Sequence, residues 1–126
     1  MSFDVFLQGF LDGDARPGGV DTMRRALAAH IEHEDPETGF LSVRCDDGIG
    51  EIYTSSDGVM ATHIGGTQLW DALVRGAVDA DWVIIPVGCP TCITHEGQRA
   101  HLPEGLDEDA VLVRSGEELL RVIRSS

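Results

Sequence analysis

The chain has 126 residues and a formal net charge of −13 at pH 7, with 22 acidic residues against 9 basic ones, all of them arginine. Nine positive side chains among so many negative ones cannot neutralise a row of phosphates. The charge therefore argues against a nucleic acid partner and favours a basic protein as partner. Hydrophobic residues make up 42% and charged residues 25% of the chain, which is typical of a globular protein, and the length predicts one domain over residues 1–126.

We expect no export signal in the N-terminal segment. No apolar run reaches membrane-spanning length, and MSFDVFLQGFLDGD lacks the basic region of a secretory signal and has Asp4 within its apolar part. We therefore expect a cytoplasmic protein with no membrane partner and no cofactor. In that compartment Cys45, Cys89 and Cys92 are expected to be reduced thiols.

A strand and a helix are predicted at the start of the chain. Residues 3–10 alternate, with Phe3, Val5 and Leu7 on one side. Residues 12–19 are rich in turn formers and predict a loop. A helix is predicted from about Asp21, a capping residue, and its apolar positions at helical spacing are Val20, Met23, Leu27 and Ile31.

Three alternating runs follow, FLSVRC, IGEIYT and GVMATHI, separated by the turn signals DDG and SSDG. They predict a three-stranded antiparallel meander across residues 39–64. Leu41, Val43 and Cys45 share one face of it, so Cys45 is predicted to be a small core residue, the commonest position for a free cysteine.

The second half of the chain is predicted to hold two helices and two strands, with a further short helix after the first of these strands. The first helix begins at Thr67 as its cap and buries Leu69, Trp70, Leu73 and Ala77. The apolar run WVIIPVG predicts a central strand, and residues 110–113 a short one. In the last helix, Ser115 and Glu118 are spaced as a capping box.

These elements predict an α+β fold. Helices and strands are mixed, but the meander rules out a purely parallel sheet. We expect a mostly antiparallel sheet with the helices packed on one face, in an order compatible with a ferredoxin-like arrangement with added elements. The predicted core includes Val5, Leu27, Val43, Leu73, Ile84 and Ile123.

The segment PVGCPTCITHEGQRAH, residues 86–101, holds the residues best suited to chemistry. A buried strand is predicted to end at Gly88, with Cys89 at a helix N-cap and Pro90 at the first helical position. Free N–H groups at a helix start lower the pKa of a nearby thiol, and Cys92 lies one turn later. Cys89 and Cys92 are therefore candidate catalytic residues of a thiol-dependent redox site.

Over about ten residues this segment resembles the C-P-x-C motif of glutaredoxin-like proteins. In that family the motif follows the first strands, near the N-terminus. Here it begins at residue 89 of 126, which leaves too little chain for the later strands, and no proline loop of the family's type follows. The resemblance therefore implies local thiol chemistry and not the family's fold.

Two other interpretations of the segment remain open. Cys89, Cys92, His95 and His101 are four potential zinc ligands, with His63 as a further one, but their spacing is poor and we expect no metal. Alternatively, the cysteines simply pack where the strand ends, since cysteine is among the most buried residue types.

Two functions follow. The first is a small acidic protein-binding module, of the inhibitor or immunity type, that neutralises a basic partner. The alternative is a thiol-dependent redox protein or enzyme that uses Cys89 and Cys92. The stretches MSFDVFLQ and PVGCPTCIT also resemble small acidic proteins of GC-rich, actinobacteria-like bacteria, a resemblance that implies no activity.

Overall fold

A computed structural model describes residues 3–126 and shows an α+β fold with three α-helices, two 3-10 helices and nine strands. The strands, in chain order, are β1 Val5–Leu11, β2 Asp14–Arg16, β3 Ile31–Asp35, β4 Phe40–Cys45, β5 Gly48–Thr54, β6 Gly58–Thr62, β7 Val83–Pro86, β8 Cys92–Ile93 and β9 Val111–Leu112. The helices are α1 Val20–Leu27, α2 Gln68–Ala80 and α3 Gly116–Arg124, and the 3-10 helices are Ala28–His30 and Glu96–His101.

One mostly antiparallel sheet contains all nine strands. Its order is β3-β4-β5-β6-β1-β7-β8-β9, and β2 pairs with β1. The pairs along this order are antiparallel except β8 with β9, which is parallel. The central order β7-β1-β6-β5 is that of a ferredoxin-like core, with β4 and β3 added at one edge and β8 and β9 at the other. The predicted α+β class is therefore confirmed.

The main core lies between the helices and one face of the sheet. Alternation along β1 and β6 turns Val5, Leu7, Val59 and Ala61 towards the helices, and all four are buried. Of the predicted core residues, Val5, Leu27, Val43, Leu73 and Ile84 are buried, and Ile123 packs against the core half-buried. Cys45 is also a core residue, as predicted.

A second, smaller cluster lies over the β7-β8-β9 end of the sheet. Val83, Ile93 and Leu102 are buried there, and Phe10 and Ile85 pack against them. The chain between the second 3-10 helix and β9 supplies Leu106 and Ala110 to the same cluster. This segment therefore covers one end of the sheet and leaves the β4-β5-β6 end uncovered.

The first predicted helix is too long. It ends at Leu27, a 3-10 turn follows, and Ile31–Asp35 forms the edge strand β3. Ile31 still packs against the core, as the helical spacing predicted, but it does so as the first residue of a strand. The meander accordingly has four strands rather than three. The predicted loop also contains β2, which pairs with β1 across an Asp12-Gly13 turn in which both residues have positive φ.

The predicted helix start at Cys89 is wrong. Gly88 has a φ of 81°, and the chain turns back so that Cys92 pairs with Ile84 in an antiparallel strand. The helical segment that follows is the 3-10 helix Glu96–His101. An antiparallel return buries Cys92 and Ile93, whereas a helix from Cys89 would have left the edge of β7 unpaired.

The caps of the later helices differ in part from prediction. Thr67 is the N-cap residue of α2, as predicted, but its side chain makes no capping bond. The capping carboxylate is that of Asp47, which accepts from the Thr67 N–H at 2.8 Å and from its hydroxyl at 2.9 Å. These bonds lower the pKa of the Asp47 carboxyl. Ser115 does cap α3, accepting from the Glu118 N–H at 3.1 Å. In residues 3–126 no helix is long and apolar enough to cross a membrane.

Candidate functional site

The two candidate cysteines occupy different environments. Cys89 lies half-exposed in the turn after β7, and Cys92 lies in β8 with 0% exposure, inside the main core. Burial, with a further contribution from Cys89, raises the pKa of the Cys92 thiol to about 12. Cys92 therefore stays a thiol at neutral pH, whereas nucleophilic chemistry needs the thiolate.

The third cysteine is also a protonated thiol. Burial, followed by the charges of Asp47 and Asp46, raises the pKa of Cys45. Its sulfur lies 3.4 Å from Nδ1 of His30. Neither buried cysteine thus has the electropositive surroundings of a reactive thiol, and Cys89 is the accessible sulfur of the three.

The histidines proposed as metal ligands point elsewhere. Nε2 of His95 lies 2.6 Å from Oδ1 of Asp81, and Nδ1 of His101 accepts from the Asp12 N–H at 3.2 Å. His63 pairs with Glu51 at 2.5 Å. Across residues 3–126, no three His, Cys, Asp or Glu side chains are arranged to hold a metal ion.

A row of apolar side chains crosses the face of the sheet opposite the helices. The register places Phe40 opposite Tyr53, Tyr53 opposite Met60, Met60 opposite Phe6, and Phe6 opposite Ile85. The row therefore runs across β4, β5, β6, β1 and β7, and we call these five residues the apolar row. The rings of Phe40 and Tyr53 are 5.2 Å apart between centroids.

Two aromatic side chains of the apolar row are exposed to solvent, and Phe40 and Met60 are half-buried. Phe6 is 43% exposed and Tyr53 41% exposed, although both lie in the inner part of the sheet. Within residues 3–126 no α-helix covers this face, since the main core, against which the α-helices pack, lies on the other one. Only the Ile85 end is covered, where it packs against the second cluster. Contiguous exposed apolar side chains of this kind mark interaction surfaces.

Acidic side chains flank the apolar row on the same face. Glu51 lies two residues before Tyr53 on β5, and Asp35 lies opposite Phe40. Asp4 lies two residues before Phe6, and its Oδ1 accepts from the Thr62 hydroxyl at 2.7 Å. The arginine of this face, Arg44, pairs with Glu32 at 2.7 Å. The face thus combines an apolar centre with a negative rim.

Sequence reasoning missed the apolar row because it depends on strand register. The alternation of β1 does place Phe6 opposite to Val5 and Leu7, but no single segment shows that Phe6, Met60 and Tyr53 are neighbours. The order β5-β6-β1, in which β1 follows β6 in space, brings them together. The signal available in the sequence was a large apolar side chain at the outward position of each strand.

No protein-family model, no curated protein and no solved structure matches this chain. The resemblance of its two short stretches to small acidic proteins of GC-rich bacteria stays a prediction.

Proposed function

We propose that the protein is a binding module that takes a basic protein partner on the face bearing the apolar row. The observation that carries the proposal is the alignment of five large apolar side chains across five strands, on a face that no α-helix covers within residues 3–126. Stable interfaces have an apolar, often aromatic, centre and a polar rim, and Phe6, Tyr53 and Phe40 supply such a centre.

Charge selects a basic partner over a second copy of the chain. Two copies would each bring a net charge of −13, and the carboxylates of Asp4, Glu51 and Asp35 would meet their own equivalents. A basic surface would instead pair with these carboxylates while its apolar side chains cover the row. An inhibitor or immunity-type module, which masks a basic enzyme, fits this chemistry best.

The experiment compares capture by matched variants. Phe6→Thr and Tyr53→Thr remove aromatic side chains but keep residues that favour strands. Val78→Thr is the control, because Val78 is 47% exposed on the outer side of α2 and so is a comparably exposed apolar residue away from the row. Each folded variant is immobilised and exposed to a lysate of the source organism, at low and moderate salt.

We expect a basic protein to be retained by the wild type and by Val78→Thr, and lost with Phe6→Thr and Tyr53→Thr. Retention should weaken as salt screens the rim charges. Recovery of nucleic acid, the same proteins on all variants, or nothing at any salt contradicts the proposal. Self-association of the purified wild type, abolished by Phe6→Thr, would assign the face to a second copy instead.

A thiol-dependent redox function is the second candidate. The observation in its favour is that the half-exposed Cys89 lies close enough to Cys92 to raise the pKa of its thiol. In this candidate Cys89 is the reacting sulfur and Cys92 its buried neighbour. A disulfide between the two, formed reversibly by the folded protein in a glutathione buffer and detected by peptide mass, would support it. Failure to form that bond at oxidising potentials would rule it out.

A further inference from the structure

A second site, which shares no residue with the apolar row, lies between the β1–β2 hairpin, the end of α2 and the 3-10 helix Glu96–His101. It is a pocket of about 340 Å³, which is at the small end of the range for small-molecule sites. Polar groups from Arg16, Asp81, His95 and His101 line it. These four come from three separate parts of the chain.

The floor of the pocket is a rigid polar network around Gln98, which is 6% exposed. Its Oε1 accepts from the Thr94 N–H at 2.6 Å. Its Nε2 donates to Oδ1 of Asp81 at 3.0 Å and to the Trp82 carbonyl at 3.1 Å. A network satisfied in this way holds the 3-10 helix against the end of α2, so the pocket is formed before any ligand arrives.

The carboxylate that lines the pocket, that of Asp81, already has hydrogen-bond partners within the protein. Asp81 accepts from His95 and Gln98 on Oδ1 and from Arg16 on Oδ2, the last at 3.1 Å. Although partial burial by itself raises the pKa of Asp81, these hydrogen bonds lower it overall. Asp81 therefore stays ionised, and its negative charge is directed at groups of the protein.

Donors, in contrast, remain available. Nδ1 of His101 accepts the Asp12 N–H at 3.2 Å and lies 3.4 Å from Oδ1 of Asp12. With the N–H as its donor, Nδ1 carries no proton, so the ring proton lies on Nε2. Among residues 3–126 that Nε2 has no hydrogen-bond partner. Arg16 uses one nitrogen on Asp81 and another on the carbonyls of Ala80 and Asp81, and a guanidinium has five N–H donors, so some stay unused.

The remaining walls are apolar. Phe10 and Val83 form one side and Leu11, half-exposed, lies at the mouth. An apolar wall opposite hydrogen-bond donors suits a ligand with a compact apolar body and one anionic group. The groups that stay free are N–H donors, which do not favour a cationic ligand. The Asp81 carboxylate, which a cation would need, already accepts hydrogen bonds from His95, Gln98 and Arg16.

We infer that this pocket binds a small organic anion, with one carboxylate or phosphate group at His101 and Arg16 and an apolar body against Phe10, Leu11 and Val83. The inference does not depend on the proposed protein partner, because the residues that line the pocket are not residues of the apolar row. It rests on the convergence of unused donors on a preformed cavity, in a protein whose charge is otherwise strongly negative.

Four probes with the same ring test the inference: benzoate, phenyl phosphate, benzylamine and benzyl alcohol. Each is titrated up to about 10 mM, following the imidazole resonances of His95 and His101 by NMR. We expect benzoate, phenyl phosphate or both to bind and to shift these resonances, with at least a tenfold preference over benzylamine and benzyl alcohol. The two anions separate a carboxylate site from a phosphate site.

Two variants locate the binding. His101→Gln keeps an acceptor for the Asp12 N–H, and Leu11→Glu adds a negative charge at the mouth. Each should weaken anion binding at least fivefold. Val78→Glu makes the same charge change on α2 and should leave binding unaltered.

Equal binding of all four probes, tighter binding of benzylamine, or no shift with any probe would overturn the inference. Anion binding that Leu11→Glu and Val78→Glu weaken equally would also overturn it, because it would then reflect net charge alone.

Discussion

The polar network around Gln98 gives the most direct test of how the pocket region is held together. We consider Gln98→Leu, which keeps a side chain of similar size and removes every polar atom. In the folded protein Oε1 of Gln98 accepts from the Thr94 N–H and, at 3.4 Å, from the His95 N–H. Its Nε2 contacts the Thr94 hydroxyl at 2.9 Å, the Trp82 carbonyl and Asp81. The substitution removes these bonds at a site that is almost closed to water.

The expected cost can be worked out group by group. The Trp82 carbonyl keeps its bond from the Thr94 hydroxyl at 3.1 Å, and Asp81 keeps His95 and Arg16. The Thr94 N–H, however, has Gln98 as its acceptor. A buried N–H left without an acceptor costs roughly 1–3 kcal/mol, and the other lost bonds together cost about 1 kcal/mol more. We therefore expect Gln98→Leu to lower the free energy of unfolding by about 3 kcal/mol.

Urea denaturation followed by circular dichroism measures this loss. The control is Gln68→Leu, at the exposed first position of α2, where surface substitutions change stability by about 0.5 kcal/mol or less. A loss below about 1 kcal/mol for Gln98→Leu, or one equal to that of the control, would show that the network does not hold the 3-10 helix in place.

Three further predictions concern other parts of the molecule. The pKa of Asp81 is lowered in the folded state, so its contribution to stability is present above the ordinary carboxyl pKa of about 4 and is lost as the pH falls through the lower folded pKa. The deficit of Asp81→Asn in urea denaturation should therefore be largest near neutral pH and shrink as the pH falls below about 4, and a deficit that stays constant would refute this. Gly19 and Gly105 both have a φ of +94°, but a Cβ added at Gly19 would lie 2.5 Å from Nε1 of Trp82, whereas one added at Gly105 would meet open space. Gly19→Ala should therefore lower the free energy of unfolding by about 2 kcal/mol more than Gly105→Ala, and equal melting curves for the two variants would contradict this. Iodoacetamide labelling, read by peptide mass, should modify Cys89 first and leave buried Cys45 and Cys92 unmodified in the folded protein; earlier labelling of Cys45 would refute the placement of the accessible thiol.

The fold class could be predicted because it depends on local patterns. The alternation in β4, β5 and β6 and the helical spacing in α2 and α3 each define one apolar face. Packing these apolar faces against each other places helices on a sheet, which is the α+β class. The error at Ile31 shows the limit, since a single apolar residue can continue a helical stripe or begin a strand, and tertiary pairing with β4 decided between them.

The candidate site was harder to predict, because it depends on contacts between distant segments. Cys89-Pro90 has the local features of a helix start, but antiparallel pairing of Cys92 with Ile84 overrode them. The contact between Arg16 and Asp81 could not be predicted from the sequence, because it forms only where the β1–β2 hairpin lies against the end of α2. The apolar row likewise forms only because the strand register aligns residues that are far apart in the sequence.

The central claim is that a basic protein covers the apolar row, and the methyl group of Met60 tests it most directly. Met60 lies between Tyr53 and Phe6 in the row, and Met23, 1% exposed in the main core, is an internal control. Methyl-labelled protein is titrated with the basic protein recovered by capture, and both methyl resonances are followed by NMR. The account predicts that the Met60 resonance shifts or broadens to saturation while that of Met23 stays in place. An unchanged Met60 resonance at saturating partner would contradict it.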